Sequence, residues 1–371
     1  DWIRKNPLFF PASGKTTLRI LSGETMEKII LKKSIPRWIK QLASFRIFSP
    51  VAKDGLWEYE EIKQLDDFPK EYTNTVVPLK KFLFPHREEL FEFADPQNGG
   101  PEIKEILPEA KPMVVFGVRP CDARAAHLLS KVFGGDISDV YFQKHQDLVY
   151  LVGLACSSPP SDSCFCISVE GSPFSEKGLD ILLIDLGEKY LVRILSEKGK
   201  NLIKANGDLF ETALKKDQER AQELEKEAGK KISRKVKTVD KIPPKLKDMF
   251  DSPLWEEESF RCLKCGICTY LCPTCHCFDI SDELVSTFPL RGKRVRVWDN
   301  CQFPDFTMHS SGHNPRPDKS SRLRQRIFHK FYYFVENQKD YLCTGCGRCV
   351  ANCPVGIDII EILNKVEGHG K

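Results

Sequence analysis

Fifteen cysteines stand in this 371-residue chain, and eight of them fall into two runs of identical spacing. From Cys262 the sequence reads CLKCGICTYLCP, and from Cys343 it reads CTGCGRCVANCP. Three thiols separated by two residues each can wrap one face of an iron–sulfur cube, while the fourth, just ahead of proline, reaches a neighbouring cube instead. The spacing therefore predicts two [4Fe–4S] clusters, one on Cys262, Cys265, Cys268 and Cys353 and the other on Cys343, Cys346, Cys349 and Cys272. Gly266, Gly345 and Gly347 are expected to let the backbone approach the cubes and point N–H groups at sulfide, and Pro273 and Pro354 to end the loops. Zinc is the competing occupant of C-x2-C pairs, but zinc sites carry a longer gap between their pairs. Two cubes held side by side make an electron relay.

Seven cysteines remain. Cys121 (GVRPCD) and Cys156 (LACSSPP) each follow an apolar run that reads as a strand, and Cys164 and Cys166 (SCFCIS) come one loop later. Strand ends are where α/β sheets gather ligands. These four thiols are candidates for a third [4Fe–4S] cluster, against a zinc site or buried cysteines acting as small hydrophobes. Cys275, Cys277 and Cys301 lack the spacing of a complete cluster and are expected to pack around the cubes, with His276 between two of them read as a core or surface histidine ahead of a ligand.

Other motifs fail on inspection. PASGKTT at Pro11 resembles the end of a phosphate loop, but Phe9 occupies the position of its first glycine, and no G-x-G-x-x-G follows a strand. With 56 basic and 52 acidic residues the formal charge is +4, too small and too dispersed for a nucleic-acid partner. The basic residues Arg291, Lys293, Arg294 and Arg296, and further on Arg322, Arg324, Arg326 and Lys330, fall inside the cysteine-rich region. They read as a solvated face, as a counterweight to cluster charge, or as a dock for an acidic partner. The chain opens DWIRKNPLFF, without an apolar segment behind a basic start, and no apolar run approaches the ~18 residues of a membrane span. That pattern, with cysteines clustered in a large chain, predicts an unexported protein of a reducing, cytoplasmic compartment without membrane insertion.

The elements that must position these thiols are of two kinds. Residues 112–118 and 147–154 are short β-branched runs joined by the amphipathic segment 122–133, a strand–helix–strand unit whose strands should be parallel. Residues 180–185 and 190–195 flank a Gly-Glu-Lys turn and read as a hairpin. Residues 208–231 are helical by composition, a solvated charged helix, and KIPPKLKDMFDSP after it reads as a linker. The chain is thus expected to divide into an α/β domain over 1–207, a charged helix and linker over 208–250, and a mainly α-helical dicluster ferredoxin-like domain over 251–371. The helical expectation rests on the long spacer between the runs and on its segments SRLRQRIFHKFYYF and VGIDIIEILNKV.

Taken together, KKFLFPHREELFEF, FGVRPCDARAAHLL, SCFCISVEGSPFSEKGLDILL, CPTCHCFD, RVRVWDNCQF, GHNPRPDKSSRLRQRIFHKF and the two cysteine runs resemble the iron–sulfur β subunit of cytoplasmic NAD(P)-linked sulfhydrogenases. They are equally similar to the iron–sulfur A subunit of anaerobic sulfite reductase, and related chains accompany flavin oxidoreductases that feed heterodisulfide reductase. The resemblance runs from about Lys80 onward. It implies a non-catalytic subunit that carries electrons between a flavin- and NAD(P)-binding partner and a catalytic or further iron–sulfur partner, and it adds weight to grouping Cys121, Cys156, Cys164 and Cys166. The alternative is a flavin-binding oxidoreductase subunit with its own active site in the N-terminal domain.

Overall fold

The computed structural model describes residues 26–64, 72–95, 100–108, 111–204 and 206–368, so the Pro11 segment lies outside the described residues. In chain order the strands are β1 (Met26–Leu31), β2 (Arg46–Lys53), β3 (Leu56–Glu61), β4 (Arg87–Asp95), β5 (Glu102–Glu105) and β6 (Met113–Val118). They continue with β7 (Val149–Leu154), β8 (Ile181–Asp185), β9 (Lys189–Ile194), β10 (Glu211–Thr212), β11 (Phe278–Thr287) and β12 (Leu290–Trp298).

Eight of them form one sheet in the order β10-β1-β9-β8-β7-β6-β2-β3. Its centre is parallel: β2 pairs with β6, β6 with β7 and β7 with β8. All six residues of β6 are buried, as a strand covered on both faces must be. Val114, Phe116 and Val152 face one core with Trp38, while Val115 and Leu151 face the other with Leu129 and Phe133. The expected strand–helix–strand unit is present, its helix running Pro120–Phe133, and β8 and β9 form the expected antiparallel hairpin. Pro120 opens the helix where its fixed φ suits the first turn and its missing N–H costs nothing.

Gly117 breaks the register between β6 and β7, with φ +66°, and its carbonyl accepts from the Tyr72 hydroxyl. A bulge at that point turns the chain just before Arg119, Pro120 and Cys121.

Two sequence readings change in the structure. The charged helix runs only Lys215–Lys230, because Glu211–Thr212 first joins the sheet edge beside β1. Nor is it merely solvated, since Ala221 and Ala228 are buried in the core beneath the sheet. The proline-punctuated stretch contains a helix, Ile242–Asp248, with prolines in its first turn and Ile242 and Leu246 fully buried.

The region beyond combines helices with a β-hairpin that the helical expectation did not include. Between the cysteine runs, β11 and β12 form a long hairpin that pairs with β4, and β5 completes a second sheet ordered β11-β12-β4-β5. Ion pairs run across its strands, Arg294 to Asp282 at 2.7 Å and Lys293 to Glu89 at 2.8 Å. Helices supply the rest: Lys319–Phe328 passes through a π turn at His329–Tyr333 into Phe334–Gln338, and Ile359–Gly368 packs near it. Asp318 caps the first of these, accepting from Ser321 N at 2.7 Å. Their shared core includes Leu246, Trp255, Ile327, Phe331 and Leu363, and also Phe165 and Val169 from the loop after β7. Among the described residues no helix is long and apolar enough to cross a membrane.

Candidate metal centres

The two cysteine runs fold alike. Each is an open loop that ends on a glycine in the left-handed region, Gly266 (φ +77°) or Gly347 (φ +76°), followed by a one-turn helix, Ile267–Tyr270 or Arg348–Ala351. The position two residues before that glycine is also left-handed in both, Lys264 (φ +61°) in the first run and Gly345 (φ +66°) in the second. The side chain is tolerated only in the first. A Cβ on Gly345 would lie 2.5 Å from the backbone N and Cα of Cys166, and one on Gly347 would strike the Ser163 carbonyl. A Cβ on Gly266 would strike the Asn300 amide, which donates to the Gly266 carbonyl at 2.7 Å. The glycines expected to admit a cube therefore also admit neighbouring protein.

Each run lines a cavity with help from the other. Cys262, Cys265 and Cys268 surround a partly open pocket of about 610 Å³, and the fourth thiol there is Cys353 of the second run. Cys343, Cys346 and Cys349 surround a smaller one of about 310 Å³, completed by Cys272 of the first run. Pro354 lines the first, Pro273 and Gly347 the second, and Cys349 and Arg326 line both. Burial pushes up the thiol pKa of Cys268, Cys346 and Cys349, and that of Cys343 to about 11, so these groups would shed protons when they bind iron.

Residues 261–357 match the family model of a 4Fe-4S dicluster domain. Over 321 residues the chain is 32% identical to sulfhydrogenase 2 subunit beta of Pyrococcus furiosus, an alignment covering 86% of this chain and 92% of the relative. This chain belongs to that iron–sulfur β-subunit family. No solved structure matches it. Family membership and the dicluster domain give the chain two [4Fe–4S] clusters and an electron-transfer role.

What the dicluster region does with charge was not visible in the basic stretch as a whole. The structure divides that stretch. Arg294 and Lys293 serve cross-strand ion pairs, Arg296 is buried between Glu88, at 2.5 Å, and Asp139, and Arg324 stacks on Phe250. Arg291 is exposed and Arg322 is buried, donating to the Arg316 carbonyl at 2.9 Å. Arg326 and Lys330, one helical turn apart, are both buried and turn toward the cysteines. Arg326 donates to the Cys268 carbonyl at 2.6 Å and to Cys275 Sγ at 3.3 Å. Lys330 donates to Cys272 Sγ at 3.4 Å and to the Leu342 carbonyl at 2.9 Å. Among the described residues neither has a carboxylate partner, and an unpaired buried cation is costly. Burial alone would lower both pKa values, yet the surrounding cysteines raise them, so both stay charged. The counter-charge these cations require is thiolate and cluster.

The four thiols of the N-terminal set lie where β6 and β7 end. Cys121 sits in the first turn of the helix Pro120–Phe133, and Cys156, two residues past β7, bonds through its N–H to the Pro173 carbonyl at 3.0 Å. Burial pushes the pKa of Cys164 and Cys166 up to about 12, and the charge of Cys156 acts in the same direction on both and on Cys121. Arg119, buried and 3.7 Å from Cys156 Sγ, is their local cation, its guanidinium stacked 3.7 Å from the Tyr72 ring centre. This set touches the second run directly: Phe165 N donates to the Gly345 carbonyl at 2.8 Å, and Cys164 Sγ lies 4.0 Å from the Cys346 carbonyl.

Cys275, Cys277 and Cys301 line a further cavity of about 250 Å³ with His276 and His329, and Cys275 also lies beside Cys272 of the second cavity.

Proposed function

We propose that this chain relays electrons within a multisubunit cytoplasmic oxidoreductase, between a flavin- and NAD(P)-binding partner and a catalytic or further iron–sulfur partner. Cys262, Cys265, Cys268 and Cys353 hold one cluster, and Cys343, Cys346, Cys349 and Cys272 the next. Cys121, Cys156, Cys164 and Cys166 hold a third.

The observation that carries this reading is the continuity of the three thiol sets. The first two cavities share Cys349 and Arg326 as walls, and the second run meets the third set through Cys346 and Cys164. One end of this row opens outward: Cys265 is exposed, and Leu263 (63%) and Phe260 (75%) beside it present apolar surface to solvent. An apolar rim around an exposed cluster suits a docked electron partner. The other end lies at the carboxyl edge of the large sheet.

No acid, base and nucleophile constellation is needed for this role. The alternative, an active site with flavin in the N-terminal domain, would place the cofactor at the same sheet edge, and acid extraction of anaerobically purified chain distinguishes the two: released flavin would overturn the purely relaying role. For the third cluster the test is Cys164→Ser, which should lose about four iron and four sulfide per chain while the two dicluster signals persist in paramagnetic resonance. Full retention of iron would remove the third cluster from the relay.

A further inference from the structure

Three cysteines without cluster spacing converge in space. Cys275 and Cys277 leave the first run in CPTCHC, and Cys301 returns after the β11–β12 hairpin, 24 residues further on by sequence, into the same cavity. The hairpin is what closes this distance, because β11 starts at Phe278 and β12 ends at Trp298, and these two residues are paired.

Its charge surroundings are those of a bound anion. Arg326 and Lys330 line it, and Lys80 reaches its wall, donating to the Cys275 carbonyl at 2.9 Å with its ammonium 4.1 Å from the Trp298 ring centre. All three cations are buried, and among the described residues none has a carboxylate partner. Buried cations in that number need negative charge beside them, and thiolate at this cavity would add to what the dicluster thiolates supply.

A histidine stands beside the three thiols. His276 lines the cavity, and its Nδ1 lies 3.1 Å from the Thr274 carbonyl. A carbonyl only accepts, so Nδ1 carries the proton and Nε2 keeps its lone pair, the tautomer fixed by a backbone partner that metal-bound histidines show.

We propose that Cys275, Cys277 and Cys301, with His276 Nε2 as fourth ligand, bind a further iron–sulfur cluster, distinct from the dicluster pair and from the N-terminal set. Arg326 lines this cavity and both dicluster cavities, so the proposed centre adjoins the pair. The reading deepens the electron-transfer role proposed above, but its test is separable from that of the N-terminal cluster.

The experiment uses the full chain, purified without oxygen, as the parent, Cys164→Ser, and Cys277→Ser/Cys301→Ser. The double variant should lose about four iron and four sulfide relative to the parent and keep the dicluster resonances. Unchanged iron would overturn the proposal. So would loss of a single zinc instead of iron, or a parent mass two hydrogens light at these thiols, which would make them a disulfide. If the double variant does not fold, the native mass spectrum of Cys164→Ser decides: three clusters on that variant support the site, and two overturn it. Loss of iron from the double variant together with full iron in Cys164→Ser would keep this site and remove the N-terminal one.

Discussion

Arg348 and Asp122 meet in a two-pronged ion pair, Nη1 to Oδ1 at 2.6 Å and Nη2 to Oδ2 at 2.7 Å, with both side chains almost wholly buried. The pair joins the two halves of the site, since Asp122 follows Cys121 and Arg348 precedes Cys349. Arg348 is further held by the Thr75 carbonyl at 2.8 Å from Nε.

Breaking one side of such a pair leaves the other charge buried and unmatched, a cost of about 3–5 kcal/mol. Asp122→Asn is therefore expected to lower the denaturation midpoint strongly and to reduce iron bound at both the N-terminal set and the second run. A denaturant titration and an iron assay on the same preparation check it; a variant within about 1 kcal/mol of the parent would show the pair is not a structural link.

The contrast between Gly345 and Lys264 gives a sharper pair of expectations. Both are left-handed, but only Gly345 faces the Cys166 backbone. Gly345→Ala adds a clash to the left-handed cost of roughly 1–2 kcal/mol and should loosen the contact between the 163–166 loop and the second run. Lys264→Gly removes that cost and should leave stability equal or slightly higher. Equal thermal midpoints for Gly345→Ala and the parent would mean the two loops are not in contact.

Acid stability has a named contributor. Asp340 is buried beside Arg124, at 2.8 Å, and Lys131, at 3.0 Å. Burial pushes its pKa up, but the two cations outweigh that and hold it below the ordinary aspartate value of about 3.9. A carboxyl depressed in the fold contributes stability that is complete above the unfolded value and is lost as pH falls through the folded one. Asp340→Asn should therefore be less stable than the parent by the same margin between pH 8 and 5, with the gap narrowing only below about pH 4. A gap that closes already near pH 6 would assign the effect to another group.

How far the sequence carried this reading depended on whether the signal was local. The cysteine runs and the β6–helix–β7 unit are written in contiguous residues, so spacing and β-branched runs were enough to place them. That Cys353 borders the first run's cavity and Cys272 the second's agrees with the same local spacing. The β11–β12 hairpin was not legible: its strands carry Glu283 and Lys293, which read as solvent-facing charge until β4 supplies Arg87 and Glu89 as partners from about two hundred residues earlier. Nor does the local sequence show the burial of Phe165, which depends on a core formed by the far end of the chain. Arg326 and Lys330 hid among basic neighbours because nothing in composition tells a solvated cation from one that balances a cluster. Cys301 lacks cluster spacing in the sequence, and it reaches Cys275 and Cys277 only because the β11–β12 hairpin returns the chain to its starting point.

Arg326 offers the most direct measurement of that balance. A cluster gains an electron on reduction, so a fixed positive charge beside it favours the reduced state and raises its potential. With an effective dielectric constant near 20 and a separation of several ångströms, one charge is worth about 2 kcal/mol, on the order of 100 mV for a single electron. Arg326→Gln should thus shift the midpoint potentials of both dicluster centres to more negative values, because the guanidinium lines both cavities. Lys330→Met should act on the Cys272 cluster and leave the Cys262 cluster nearly unchanged, since Lys330 borders only the former of these two cavities. Arg324→Gln is the control, its guanidinium lying on Phe250 near Asp251 and away from the thiols. Redox titration followed by paramagnetic resonance, with circular dichroism to show that each variant is folded, reads all three. Potentials that stay within about 20 mV of the parent in Arg326→Gln would mean that solvent or backbone dipoles, and not this buried cation, set the electrostatics of the clusters.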